Sequence, residues 1–362
     1  WGPHWDFDRA LGSTDGRDVN PKNWTTGPFF SATWWGRILR DPTAWQLWVD
    51  RYQEFRAGVM SRTNMNRLID ELAAQVAPIQ PRESKKWSFM RPRGGTYTAE
   101  VNVMKNWLSN RVAYFDSQMA ARPTLSSSGG RVEPGHTVTL SRPAGSTVYY
   151  TLDGIDPRRA YGTNELAPGA LLYIGPITIN ANSRLVARAR DLTKRQTGGP
   201  LTSTPWSGAI AATFTVTPPP LALTEIMFHP AKPTTAAGPD EDEFEFLELR
   251  NISGEKVALP GYRLSGGADY AFTADSGITE LLPGGRVLLV ANAVAFASRY
   301  PGVGPIAGEY SGRLGNGGAR LALTGPLLEP VFDFEFNDRW QLLADGSGFS
   351  LARTDDGTVV ND

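Results

Sequence analysis

Apolar positions follow two different periods along this chain. From about residue 41 to 119 they recur at three- and four-residue spacing, the period of an amphipathic helix. Asp41-Pro42 reads as an N-cap followed by proline in the first turn. Trp45, Trp48, Val49, Tyr52 and Phe55 then form one apolar stripe. A second helix is predicted over 64–77, with Leu68, Ile69, Leu72 and Val76 on one face, closed by Pro78 and Pro81. A third is predicted over 98–119, carrying Met104, Trp107, Leu108, Val112, Phe115 and Met119.

After ARPTLSSSGG the period drops to two. HTVTL, TVYYTLDG, PITI and RLVARAR read as short strands with turn signals between them, the pattern of a β-sandwich. TVTPPPLAL interrupts this as a stiff, extended spacer. Strands recur beyond it: ALTEIMF, EFEFLELRN, YRLSG, GRVLLVAN, ARLALTG and GFSLART, which predict a second sandwich from about 221 onward. The expected fold class is therefore multidomain α + β, with a helical part followed by two β-sandwiches, which the resemblances given below make immunoglobulin-like. The expected boundaries are 1–122, 123–217 and 218–362.

Composition narrows the function classes. With 362 residues, 41 % hydrophobic and 20 % charged, the chain is long enough for two or three buried cores. A net charge of −1 gives no global field to attract nucleic acid or an anionic membrane. No apolar run approaches the roughly 20 residues that span a bilayer. Without cysteine there are no disulfides, thiolate metal sites or cysteine nucleophile. The opening WGPHWDFDRA is not a basic stretch followed by an apolar one, so it is not read as a signal peptide.

Three resemblances follow from particular residues. WDFDRALG, ILRDPTAWQLWVDRYQEF, MNRLIDELAAQVAP and VMKNWLSNRVAYFDSQM resemble, in that order, the last part of the spore-coat CotH-like kinase domain. That resemblance implies a helical remnant of a kinase-like C-lobe. STVYYTLDGIDPR (146–158) resembles the C-terminal domain of chitobiases and β-hexosaminidases. LTEIMFHP, EFEFLELRNIS, GYRLSGG, LLPGGRVLLVAN and GNGGARLALTG resemble the lamin tail domain, an immunoglobulin-like sandwich. Together they imply a large exported bacterial protein, extracellular or on the cell surface. The kinase resemblance lacks everything upstream of WDFD and the lamin-tail stretch stops at GTVVND. The chain is therefore read as a fragment whose partner is a protein or the remainder of the same polypeptide.

Candidate chemistry centres on Asp6 and Asp8. On a strand they share a face, and the resemblance implies that Asp6 binds Mg2+ and that Asp8 is a second ligand or a support. Mg2+-ATP is then the implied cofactor, usable only with the absent kinase half. The other reading has both carboxylates capping turn N–H groups while Trp5 and Phe7 pack. No G-x-x-x-x-G-K-[ST], kinase-type glycine loop, clamping lysine or catalytic aspartate can be named, so no residue of this chain is assigned as catalytic. GRLGNGGAR is read as a turn.

The remaining candidates have plain readings. His4, His136 and His229 are too far apart for a triad or a shared metal. PDEDEFE (239–245) is read as a solvated acidic loop rather than a calcium loop. DGIDPR (153–158) is read as a hairpin turn. Tyr149 and Tyr150 fall on opposite strand faces, one of them in the core, with a cell-surface glycan as the alternative partner. Arg184, Arg188 and Arg190 share one face of a strand, expected to be exposed sheet surface or else an anion patch.

Overall fold

The structure is a computed structural model of the 362-residue chain. It describes residues 11–12, 19–22, 33, 35–87, 95–161, 165–194, 204–233 and 238–353. Asp6, Asp8 and His4 lie outside the described residues. The helices lie almost entirely before residue 118, and the rest is mostly β-sheet.

Among the described residues, five helices occupy the first part: α1 (Trp35–Ile38), α2 (Pro42–Ala57), α3 (Arg62–Val76), α4 (Gln80–Lys86) and α5 (Tyr97–Ser117). Their starts follow capping chemistry. Asp41 accepts from the N–H groups of Thr43 (2.7 Å) and Ala44 (3.2 Å), Ser61 from Asn64, and Thr96 from Ala99. Trp45, Val49 and Tyr52 of the expected stripe are buried with Met119, and Phe115 packs against them. Trp48 and Phe55 are exposed. The face expected on α3 is not buried: Leu68, Leu72 and Val76 are exposed, and Met65 is the buried residue of that helix. Pro81 does not close α3. Ala77 caps that helix, and Pro81 lies in the first turn of α4, where its missing N–H costs nothing.

By contact density the chain divides into two compact units. One comprises Trp1–Ser128, Thr137–Thr178 and Leu185–Ala212, the other Gly129–His136, Ile179–Arg184 and Thr213–Asp362. The helical part thus shares a unit with much of the first β region. That region has β1 (Gly130–Arg131), β2 (His136–Val138), β3 (Thr147–Thr151), β4 (Leu171–Leu172), β5 (Ile177–Ile179), β6 (Ser183–Arg190) and β7 (Ile210–Thr215). Five of these form a sheet in the order β1-β7-β6-β3-β4, and β2 pairs with β5.

The second β region holds β8 (Leu221–Met227), β9 (Phe246–Asn251), β10 (Val257–Ala258), β11 (Arg263–Gly266), β12 (Ala268–Ala271), β13 (Glu280–Leu281) and β14 (Arg286–Val290). The short helix α6 (Ala293–Arg299) follows, then β15 (Ile306–Glu309), β16 (Ser311–Gly312), β17 (Gly318–Thr324), β18 (Pro330–Asn337) and β19 (Leu351–Ala352). Two five-stranded sheets, β16-β12-β11-β17-β18 and β15-β14-β9-β8-β19, enclose one core that includes Phe228, Leu247, Leu249, Leu289, Leu321 and Phe336. This is the arrangement of an immunoglobulin-like sandwich. The neighbouring strands β11 and β17 pass closely at Gly266, whose φ of +115° and Cβ position 2.1 Å from the Arg320 carbonyl oxygen admit no other residue without backbone movement. GRLGNGGAR is a turn leading into β17, as expected.

Candidate functional site

The densest polar constellation among the described residues surrounds Arg188 on β6. The expectation of an exposed arginine face fails here, because the Arg188 side chain is only 3 % exposed. All five of its N–H donors are used. Nη1 and Nη2 fork onto Asp50 of α2, Nε and Nη2 fork onto Asp156, and Nη1 also donates to the Ser207 carbonyl. The contacts to Asp156 are 2.7 and 2.6 Å, and that to Ser207 is 2.7 Å. Two bidentate pairs on one guanidinium are the geometry at which arginine outperforms lysine. Burial works against the charge, but hydrogen bonds and opposite charge from Asp50 and Asp156 outweigh it and hold the guanidinium protonated.

The local sequence explains each partner. Asp156 sits in the DGIDPR turn: Gly154 adopts φ +85°, Asp153 accepts from the Ile155 N–H, and Asp156 accepts from the Arg158 N–H. Asp50 belongs to a second stripe on α2, made of Thr43, Gln46, Asp50 and Gln53 at three- and four-residue spacing. Every member of that stripe reaches the β region. Thr43 Oγ1 accepts from the Tyr161 N–H (2.9 Å), and Gln46 Nε2 donates to the Ser207 carbonyl (3.1 Å). Gln46 Oε1 accepts from Thr204 Oγ1 (2.6 Å), and Gln53 Oε1 accepts from the Gly208 N–H (2.7 Å). The polar stripe of this helix has the same three- and four-residue period as its apolar one and is absent from the expectations above.

The other expected positions separate. Tyr149 packs edge-on against Trp206 at 5.8 Å, with the Arg190 guanidinium 5.4 Å from the Trp206 ring. Tyr150 packs against Tyr173. Neither tyrosine is fully buried, so the expectation that one belongs to the core is not met in full. Arg184 donates to Thr213 Oγ1, and Arg158 is buried, its guanidinium pushed down by desolvation and by Arg188.

In the second β region, PDEDEFE is not an open loop. Glu241–Phe244 is a 3-10 turn capped by Asp240, and β9 begins only at Phe246. Glu245 is 1 % exposed. One carboxyl oxygen accepts from Tyr310 Oη (2.8 Å) and the Leu314 N–H (3.0 Å), and the other is buried without a partner. Burial pushes this carboxyl up to about 7, with the Leu314 and Tyr310 hydrogen bonds opposing and Asp242 adding to the rise. His229 contacts Asp345 through Nδ1 (2.6 Å) and lies 3.7 Å from Glu241. His136 lies against Phe214. Among the described residues no group of three or more His, Asp or Glu is arranged to hold a metal ion.

Comparisons with known proteins agree with two of the three resemblances. The family model described as CotH kinase protein matches residues 1–115, and that described as chitobiase/beta-hexosaminidase C-terminal domain matches residues 127–201. No curated protein matches. Among solved structures, a DUF4876 family protein from Bacteroides thetaiotaomicron VPI-5482 is similar at 14 % identity with a TM-score of 0.17. The alignment covers 40 % of this chain and 44 % of that one. The chain is therefore a multidomain protein in which a CotH-matching portion precedes β-sandwich modules. No described helix is long and apolar enough to cross a membrane.

Proposed function

We propose that this chain is a segment of a large exported bacterial multidomain protein, non-catalytic by itself, whose two sandwiches serve attachment and assembly. In this reading residues 1–122 are the CotH-type helical portion. Residues 123–217 are the chitobiase C-terminal-like sandwich, and 218–362 are a sandwich of lamin tail type, cell-surface or extracellular in location. The supporting observation is Arg188: its whole donor set is consumed in fastening α2 to the sheet, with none left for a substrate. A buried, fully satisfied ion network rigidifies and specifies an arrangement.

The second reading is a portion of a CotH-type Mg2+-ATP-dependent kinase acting on exported proteins, with Asp6 and Asp8 on the metal. It is favoured by the CotH match over 1–115, which includes both residues. In kinase chemistry the protein mainly positions phosphates and offsets charge, so Asp6 needs phosphate-holding residues, and no sequence motif of this chain names them. Thermal unfolding separates the two readings. The chain is expected to melt at the same temperature with and without millimolar Mg2+-ATP. A rise in Tm that Asp6→Ala abolishes would overturn the non-catalytic reading, because a ligand at about 100 Kd stabilises by about 2.7 kcal/mol.

A further inference from the structure

Among the described residues, the strand β18 ends its sheet and pairs only with β17. Its free edge presents a row of backbone donors and acceptors, which is a template for another strand. Phe332, Phe334 and Phe336 point to the inner side, while Asp333 and Glu335 are exposed on the outer side. Beside the inner side lies a groove of about 680 Å3, walled by Leu223, Ile226, Phe332, Phe334, Trp340 and Leu351. That volume lies within the range of roughly 300–1,000 Å3 typical of ligand-holding clefts. Trp340 stacks on Phe334 at 6.1 Å and remains 58 % exposed.

From this we infer that the β18 edge is a docking edge for an extended segment of another polypeptide that alternates apolar and basic residues. The open edge calls for a backbone, which a sugar or a lipid cannot supply. A strand added there sends every second side chain over the groove, where apolar groups cover the two phenylalanines and Trp340. The intervening side chains fall beside Asp333 and Glu335. Asp333 is already paired with Arg320, whereas Glu335 has no ion pair among the described residues. Basic side chains complete that face. A second copy of this chain fits poorly, because β18 paired antiparallel with itself brings Asp333 and Glu335 against their own duplicates. The inference deepens the assembly reading by naming a partner class for the second sandwich. The Mg2+-ATP measurement addresses the helical portion, so either conclusion can fail without the other.

Hydrogen-exchange mass spectrometry on the full chain tests it, using as probe an eight-residue peptide of alternating valine and lysine, matched in length to β18. The expected result is saturable slowing of exchange over 330–337 by about tenfold or more, with the remaining strands unaffected. Glu335→Lys, an exposed change that leaves the core untouched, should weaken the peptide severalfold, and added salt should act in the same direction. The same peptide N-methylated on the amides facing β18 should give no protection. Three outcomes overturn the inference: no protection by the lysine peptide, equal protection by the N-methylated or valine–glutamate peptide, or protection that rises with protein concentration alone.

Discussion

Replacing Arg188 with methionine is expected to destabilise the protein by about 3 kcal/mol, read as a lower urea midpoint at unchanged slope. Removing one member of a buried ion network leaves the others uncompensated, at a cost of about 3–5 kcal/mol. The lower end applies because Asp50 and Asp156 keep 28 % and 39 % side-chain exposure and regain water once the guanidinium is gone. Ser207 loses one donor but keeps Gln46 Nε2 at 3.1 Å. Arg188→Lys should recover little, since an ammonium cannot fork onto two carboxylates. The triple change Asp50→Leu, Asp156→Leu, Arg188→Met should recover only part of the loss, because Asp156 also accepts from the Arg158 N–H and both carboxylates support the charge of buried Arg158. A single variant with wild-type stability would show that the network is ornamental.

The second large effect is a pH dependence carried by Glu245. Its carboxyl is held at about 7 in the folded protein, against an ordinary value of 4.5. Below 4.5 both folded and unfolded chains carry the proton and this group adds its full stabilisation. Between 4.5 and about 7 the unfolded chain ionises while the folded one keeps its proton, so stability falls as pH rises. Above about 7 the slope from this group ends. The full swing is about 3 kcal/mol at 1.36 kcal/mol per pH unit. Tyr310, Asp242 and Arg313 face the same carboxyl, and Arg313 is paired with Asp242, so neither cancels the burial. Glu245→Gln keeps an acceptor for Tyr310 and Leu314 and has no proton to lose. Urea melts of the two proteins at pH 5 and pH 8 should therefore diverge, the wild type losing stability relative to the variant at the higher pH. Parallel profiles would contradict a protonated Glu245.

Much of the fold is legible from local rules, and the misses have physical causes. Asp41 announces α2 because its cap chemistry is confined to three residues. Several strands of the second sandwich, β8 and β9 among them, are visible because more and less buried positions alternate along them. Two elements with equally local signals were not among the predicted ones. Asn292 caps α6 by accepting from Val294 and Ala295, and PVFDFEFN alternates along β18. The environment of Arg188 is of a different kind. Its partners are 138 and 32 residues away, and nothing near Arg188 in the sequence distinguishes it from Arg184 or Arg190. Glu245 is similar: in PDEDEFE it is one acid among five, and only the packing of Tyr310 and Leu314 singles it out. Asp6 and Asp8, which carry the metal expectation, lie outside the described residues.

Through Arg188, α2 and the Leu185–Arg190 stretch of β6 are expected to behave as one body. Native-state hydrogen exchange along both segments tests it most directly. The slowest amides of α2 and of β6 are expected to open with the same free energy, and Arg188→Met should lower both by the same amount. Exchange in α2 that is much faster than in β6 and indifferent to Arg188→Met would contradict it.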